Sequence, residues 1–139
     1  MTKLSDHFTL GEMTVTSTGL NNQPTTAHFA NLKRTAEHME KVRAALGKPI
    51  KVNSAYRSAT VNRKVGGVAT SAHCQGYAVD FRIDGMTPLA ICRAIIAAGI
   101  KFDQLIEENG RWTHISFDPR MRGQVLTMRD GKYTSGLAK

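Results

Sequence analysis

The chain has 139 residues, of which 41% are hydrophobic and 22% are charged, and its formal net charge is +8. These proportions are ordinary for a soluble globular protein, and the length favours a single domain. No run approaches the roughly 20 apolar residues of a membrane helix, so membrane insertion is not expected. The first residues hold no apolar stretch typical of signal peptides, which predicts synthesis in the cytoplasm without a signal peptide.

The positive charge favours a polyanionic partner, which could be nucleic acid, an anionic lipid surface or an acidic cell-wall polymer. Aromatic residues make up only 6% of the chain and are not interleaved with lysine and arginine. No nucleic-acid-binding signature is present, so a nucleic-acid partner is not expected. Two cysteines, Cys74 and Cys92, are too few for a disulfide framework, and we expect free thiols. Cys74 adjoins His73, but neighbours on an extended segment point to opposite faces, which favours a packing role.

The first part of the chain predicts a loop-rich leader followed by a long helix. Residues 1–24 are rich in Thr, Ser, Asn and Gly, with one helical turn predicted near residues 10–13. Thr25 or Thr26 can cap a helix that ends near Leu46, because Gly47 and Pro49 follow. Its apolar positions step by three and four and form one stripe: Phe29, Leu32, Ala36, Met39, Val42 and Leu46. His28 and His38 lie off this stripe and are interpreted as solvated.

The rest of the chain alternates short strands with helices. Strands are predicted at residues 50–54, 77–83, 102–108 and 112–117, the last two forming a hairpin around Asn109-Gly110. Residues 61–70 predict a short helix or turn before a glycine loop, and residues 88–98 a second helix capped by Thr87. The apolar face of that helix is predicted at Leu89, Cys92, Ile95 and Ile96. Residues 118–139 form a basic tail with one further hairpin around residues 130–131. The absence of repeats and linkers favours one α+β domain over residues 1–139.

Three residues have the types and positions of a metal site. Residues 71–80 place His73 and Asp80 seven positions apart, around a turn that leads into a strand, and His114 lies on a predicted partner strand. Catalytic zinc takes three ligands from His, Asp and Glu and keeps one position open. Two alternatives remain at this point. The His–Asp pair could be a structural hydrogen bond, and His114 could be a core residue.

The motifs around these residues resemble a known family of enzymes. Ser71-x-His73-x-x-Gly76-x-Ala78-x-Asp80 and Trp112-x-His114 are similar to the zinc-ligand signature of the D-alanyl-D-alanine metallopeptidases. These include VanX- and VanY-type carboxypeptidases and the L-alanyl-D-glutamate endopeptidases of bacteriophage endolysins. The resemblance extends over residues 8–117 and includes three further segments, at residues 54–58, 65–67 and 102–106. The chain most resembles the short phage-type members.

The resemblance implies a fold and a set of roles. The expected fold is hedgehog-like or D-Ala-D-Ala peptidase-like, with a small antiparallel sheet that carries the zinc site and packs against two main helices. One Zn²⁺ ion would be bound by His73, Asp80 and His114. Arg57 would hold a substrate carboxylate or carbonyl oxygen, a task suited to a planar charged fork. Further candidates for substrate contact or support of the site are Ser71, Gln104 and Trp112, with Asp103 as another residue of the cleft.

The resemblance also implies a catalytic glutamate, but its position is ambiguous. VanX-like members carry it three residues before the last histidine, where this chain has Arg111. The short phage-type members supply it at the end of the preceding strand, which here means Glu108 or Glu107. A two-residue turn would pair Glu107 with Trp112 and give Glu107 the face of His114, whereas a three-residue turn would favour Glu108. The motif position favours Glu108.

The expected function is hydrolysis of peptide bonds in the stem peptides of bacterial peptidoglycan. The action could be of the D-Ala-D-Ala carboxypeptidase type or the L-Ala-D-Glu endopeptidase type, and the sequence does not choose between them. A monomer is expected, acting on the cell wall in phage-derived lysis or as a virion-associated enzyme. The alternatives are a catalytically inactive zinc-containing wall-binding module, which Arg111 favours, and a nucleic-acid binder, which only the charge favours.

Overall fold

The computed structural model describes residues 2–138. Its α-helices are Leu10–Met13 (α1), Thr26–Leu46 (α2), Ala59–Lys64 (α3) and Pro88–Ala97 (α4), and Ala72–Gln75 forms a 3-10 helix. The strands are Lys3–Ser5 (β1), Phe8–Thr9 (β2), Lys51–Ser54 (β3), Ala78–Arg82 (β4), Gln104–Glu108 (β5), Trp112–Ser116 (β6), Gln124–Arg129 (β7) and Lys132–Ser135 (β8). The α+β class is confirmed. None of the helices within residues 2–138 is both long and apolar enough to cross a bilayer.

Six strands form the main sheet, in the order β3-β4-β6-β5-β7-β8. Every neighbouring pair is antiparallel except β5 and β7, which are parallel. The predicted antiparallel sheet is therefore confirmed in its main character, and it has six strands and one parallel pair. Residues 118–139, predicted as a tail, supply β7 and β8. β7 lies on the side of β5 that is not paired with β6. It runs in the same direction as β5, so these two strands are parallel.

The core lies between the sheet and the helices α2 and α4. The predicted stripe of α2 is confirmed at its centre, where Leu32, Ala36, Met39 and Val42 are fully buried. The predicted face of α4 is partly wrong, because Ile91 is buried whereas Ile96 is 45% exposed. Pro88, Ile91, Cys92 and Ile95 follow the three- and four-residue steps of one helical face, and Ile96 lies a further 100° around the helix.

The leader is more ordered than its composition predicted. β1 and β2 pair with each other, and Leu4, Phe8 and Met13 are buried in the main core. The predicted turn at residues 10–13 is confirmed as α1, which begins with a capping box between Thr9 and Glu12. Strands of two and three residues are too short to show a recognisable alternation in the sequence.

The interpretation of His28 and His38 as solvated is also corrected. Both side chains are only partly exposed. His28 Nδ1 lies 3.2 Å from the hydroxyl of Tyr56, and the ring of His38 stacks on Phe117 with centroids 4.6 Å apart. Each histidine therefore packs at the edge of the core, next to the stripe of α2.

Candidate metal centre

The three predicted ligands come together on one face of the sheet, near the middle of the adjacent strands β4 and β6. His73 lies on the 3-10 helix, Asp80 on β4 and His114 on β6, and one ligand atom from each lies within 4.8 Å of the other two. β4 pairs with β6 so that Asp80 is directly opposite His114. Directly opposite residues share a face of the sheet, so the pairing itself places the carboxylate beside the imidazole.

A close contact with α2 positions the 3-10 helix that carries His73. Gly76 follows this helix with φ of 85°, and a Cβ at this position would lie 2.9 Å from the carbonyl oxygen of His28. Thr35 donates a hydrogen bond of 2.6 Å to the carbonyl of Gly76, and Asn31 one of 2.9 Å to that of Gln75. Glycine is required both by the left-handed backbone and by the absence of space for a side chain.

The ring of His73 has a defined tautomer. Its Nδ1 lies 2.6 Å from the carbonyl oxygen of Ala55, which can only accept a hydrogen bond. Nδ1 therefore carries a proton, and Nε2 is the ring nitrogen that faces Asp80, at 3.2 Å from Oδ2. The two atoms at this distance need a proton or a metal cation between them. The separation is also close to the ~3.3 Å edge of a tetrahedron of zinc ligands.

Asp80 and His114 form the second contact of the group. Asp80 Oδ1 lies 2.8 Å from His114 Nδ1. Burial alone would raise the pKa of Asp80, but the charges and hydrogen bonds of His73 and His114 outweigh it and lower the pKa well below its usual range. Burial likewise opposes charge on His114, and the hydrogen bond to Asp80 outweighs it and raises the pKa of His114. Asp80 is thus held as an anion.

This donor set fits zinc. Two imidazole nitrogens and one carboxylate match the three protein ligands of a catalytic zinc site, and all three residues line a cavity of about 500 Å³ that leaves room for a further ligand. Cys74 is free and partly buried, and burial raises the pKa of its thiol. It does not belong to the metal-ligand group or line the cavity among residues 2–138.

The hairpin register distinguishes the two candidate glutamates. Glu108 pairs with Trp112 and Ile106 with His114, so residues 109–111 form a three-residue connection. Glu108 therefore shares the face of His114 and lines the cavity. It is 8% exposed, and its pKa is raised first by burial and then by the negative charge of Asp80.

Glu107 lies on the opposite face of β5, so the register that would have given it the face of His114 is wrong. Arg129 donates two hydrogen bonds to it, of 2.6 and 2.7 Å, and Gly110 N–H donates one of 3.0 Å. These bonds from Arg129 lower the pKa of Glu107 against the effect of burial. Arg111 is exposed in the turn, and its N–H donates to the carbonyl of Glu108.

Arg57 lies beside the metal-ligand group in the same cavity. Its backbone N–H donates to the carbonyl of His73 at 3.0 Å, and its Nη2 donates to Ser71 Oγ at 3.3 Å. Ser71 Oγ also accepts the N–H of His73 at 3.2 Å, so Ser71 links the guanidinium to the turn that holds the ligand. Arg57 Nε is buried without a hydrogen-bond partner among the described residues and can therefore bind a ligand atom.

Gln104 and Trp112 also line the cavity, as does Asp103. The Gln104 side-chain amide donates to Gln124 Oε1 at 2.8 Å, which ties β5 to β7. The Trp112 indole nitrogen is buried and has no hydrogen-bond partner within residues 2–138. Both residues form part of the cavity wall, as the predicted role in substrate contact requires.

Several residues of the cavity were not predicted from the sequence, among them Arg120, Arg122 and Tyr133. All three come from the segment predicted as a tail. Tyr133 pairs with Met128, which pairs with Glu108, so they form one row across β8, β7 and β5. The hairpin prediction around residues 130–131 was the available signal, but it did not show which strand the hairpin would join.

A His–Asp–His group beside a buried acid, at the edge of an open cavity, is the arrangement of a metal-dependent hydrolase. The sequence comparisons agree with this class. Residues 6–116 match the peptidase M15 family, and the chain belongs to that family. Membership implies a metallopeptidase, and the His73, Asp80 and His114 group is consistent with the zinc used in this family. A comparison with curated proteins found no significant match.

Proposed function

We propose that this chain is a zinc-dependent peptidase that hydrolyses peptide bonds in the stem peptides of bacterial peptidoglycan. The observation that carries the proposal is the presence of Glu108 and Arg57 in the same cavity as the His73, Asp80 and His114 group. This combination supplies a proton carrier and a substrate anchor next to a metal site. Membership of the peptidase M15 family supports a peptide as the substrate.

Zinc would be held by Nε2 of His73, the carboxylate of Asp80 and Nδ1 of His114. When bound, it polarises a carbonyl group and makes water a nucleophile near neutral pH. The protein prepares these ligands in advance. The carbonyl of Ala55 keeps the proton on Nδ1 of His73, and the surrounding histidines keep Asp80 ionised.

Glu108 would move the proton that hydrolysis requires. Its carboxylate accepts a proton from the water that attacks the carbonyl carbon. It then gives this proton to the amine nitrogen as the C–N bond breaks. Burial raises the pKa of Glu108, which makes the carboxylate a stronger base than an exposed glutamate.

Arg57 would orient the substrate through a carboxylate or carbonyl oxygen. Its unpartnered Nε and its fixed position beside His73 support this role. Ser71 holds the guanidinium, and Gln104 and Trp112 contribute to the walls of the cavity. The positioned guanidinium reduces the entropy that is lost when the substrate binds.

The register of the hairpin favours an active enzyme over the alternative of an inactive wall-binding module. That alternative rested on Arg111 in place of a glutamate, and Glu108 lies beside the metal-ligand group instead. The net charge of +8 is compatible with anionic cell-wall material. We extend the proposal to synthesis in the cytoplasm and action on the cell wall, in phage-derived lysis or as a virion-associated enzyme.

Hydrolysis of purified peptidoglycan, with and without a chelator, tests this function. Mass spectrometry of the released peptides would identify the bond and so distinguish D-Ala-D-Ala carboxypeptidase from L-Ala-D-Glu endopeptidase action. We expect soluble fragments, loss of activity with the chelator and recovery when zinc is added. Activity that survives complete removal of zinc, or the substitution His73→Ala, would contradict the proposal.

A further inference from the structure

The connection between β6 and β7 brings two arginines into the cavity of the metal centre. Arg120 and Arg122 both line this cavity, together with His73, Asp80 and His114. They lie beyond residues 6–116, the part that matches the peptidase M15 family. Their contribution to the site is therefore a property of this chain that the family match does not cover.

Each of these arginines is fixed in place by an aspartate. Arg122 donates from Nε and Nη2 to Asp103, both at 2.9 Å, and its backbone N–H donates to the same carboxylate at 3.0 Å. Arg120 donates in the same way to Asp118, at 3.1 and 3.2 Å from the side chain and 2.9 Å from the backbone. One edge of each guanidinium is therefore occupied, and its orientation is set.

The positive and negative groups of these pairs differ in exposure. The side chains of Asp103 and Asp118 are 2% and 16% exposed, whereas those of Arg122 and Arg120 are 41% and 63% exposed. A guanidinium has five N–H donors, and each aspartate takes two of them from the side chain. Both guanidinium groups line the cavity together with Asp103, and they are the more exposed members of their ion pairs. Each keeps an Nη1 group that is not hydrogen-bonded to another residue within 2–138.

We propose that Arg120 and Arg122 form an anion subsite that binds a free carboxylate of the peptide substrate, separate from the oxygen that Arg57 holds. The inference rests on the proposed function. Stem peptides carry such a carboxylate on D-glutamate, and in amidated peptidoglycan this group is a neutral carboxamide. Planar carboxylates match the donor pattern of a guanidinium, whereas the amide offers one oxygen and no charge. The enzyme would therefore prefer the unamidated stem peptide.

A matched pair of synthetic peptides tests the subsite. One is L-Ala-γ-D-Glu-L-Lys-D-Ala-D-Ala, and the other carries the α-carboxamide of D-glutamate in place of the carboxylate. Binding of each is measured by calorimetry with the zinc-loaded Glu108→Gln variant, and hydrolysis as kcat/KM with the unmodified enzyme. We expect the acid to bind about tenfold more tightly than the amide, the scale of a charge-assisted hydrogen bond.

The variants Arg120→Gln and Arg122→Gln, each in the Glu108→Gln background, assign that preference to residues. Each should weaken binding of the acid and leave binding of the amide within about twofold, so that the preference falls. Arg34→Gln, an exposed residue of α2, removes the same charge at a distance and should keep the full preference. Arg122→Gln leaves Asp103 buried without its partner, so the thermal unfolding of this variant is measured first. If the single variant is unfolded, the double variant Asp103→Asn/Arg122→Gln is used in its place.

The outcomes separate this inference from the proposed function. Equal binding of the two peptides, or a preference that survives both arginine substitutions, would overturn the subsite even if both peptides are hydrolysed. A preference that the substitutions remove would support the subsite even if neither peptide is hydrolysed, and in that case the proposed function fails alone. If Arg34→Gln caused the same loss of preference for the acid, net charge alone would explain the effect, and the subsite would also be overturned.

Discussion

Glu107 and Glu108 are neighbours on β5, yet they lie on opposite faces of the sheet and meet different surroundings. Arg129 balances the negative charge of Glu107 with two hydrogen bonds, and the pKa of Glu107 is lowered. Glu108 is buried near Asp80, and its pKa is raised. The comparison shows that burial alone does not decide the direction in which the pKa of a carboxyl group shifts. The hydrogen-bonded arginine stabilises the ionised form of Glu107, whereas burial and the charge of Asp80 outweigh the more distant positive charges of His114 and Arg57 at Glu108.

The largest effect is expected when the metal centre on the Glu108 face loses a ligand. Asp80→Asn replaces the anionic ligand with a neutral amide and should abolish both zinc binding and hydrolysis. Zinc content by elemental analysis and activity on peptidoglycan measure the two losses. Asp84→Asn removes an exposed carboxylate that pairs with Lys51 and should keep both properties. Full zinc content in Asp80→Asn would exclude Asp80 as a necessary ligand.

Substitution of each glutamate by glutamine tests the comparison directly. Glu108→Gln should lower kcat by about 10²- to 10⁴-fold, the usual contribution of a general acid–base group. Its zinc content should stay unchanged. Glu107→Gln is the matched control and should keep kcat within a few-fold. If Glu107→Gln lost activity and Glu108→Gln did not, the assignment of the base would be reversed.

Arg57→Lys is expected to have a smaller effect on the same face. Lysine keeps the charge but loses the planar fork, so kcat/KM should fall about 10- to 100-fold while zinc content remains. Arg63→Lys on α3 is the exposed control and should behave like the unmodified enzyme. An unchanged kcat/KM in Arg57→Lys would show that a point charge is sufficient for its role.

The smallest effect concerns stability on the Glu107 face. Glu107→Gln should lower the free energy of unfolding by about 1–2 kcal/mol at pH 7, because it weakens hydrogen bonds between charged groups. The folded pKa of Glu107 lies below its unfolded value of about 4.3, so the stabilisation is complete above that value and is lost as pH falls through the folded pKa. Denaturant unfolding should therefore show a difference at pH 7 that narrows near pH 3. A difference that is independent of pH would point to packing instead.

Much of this arrangement was predictable from local sequence. The long helix and the β5–β6 hairpin follow from periodicity, capping and turn residues, and the metal ligands from their spacing and the family resemblance. The number of residues in the hairpin turn, which decides which glutamate shares the face of His114, was not predictable. Asn109-Gly110 fits a two-residue turn, and only the structure shows Arg111 as the third residue of the connection. The pairing of β7 with β5 is long-range and leaves no local signal, so the cavity residues Arg120, Arg122 and Tyr133 were missed.

The contact between Gly76 and α2 has a consequence for folding dynamics. His73 is held by a segment that packs on the backbone of α2 without an intervening side chain. A ligand that binds only the folded state stabilises each segment that has to unfold together with the binding site. The gain in free energy grows with the logarithm of the ligand concentration divided by Kd. Zinc should therefore slow hydrogen–deuterium exchange in the first half of α2 as well as around His73. Exchange in the β7–β8 hairpin, which supplies no ligand, should change less.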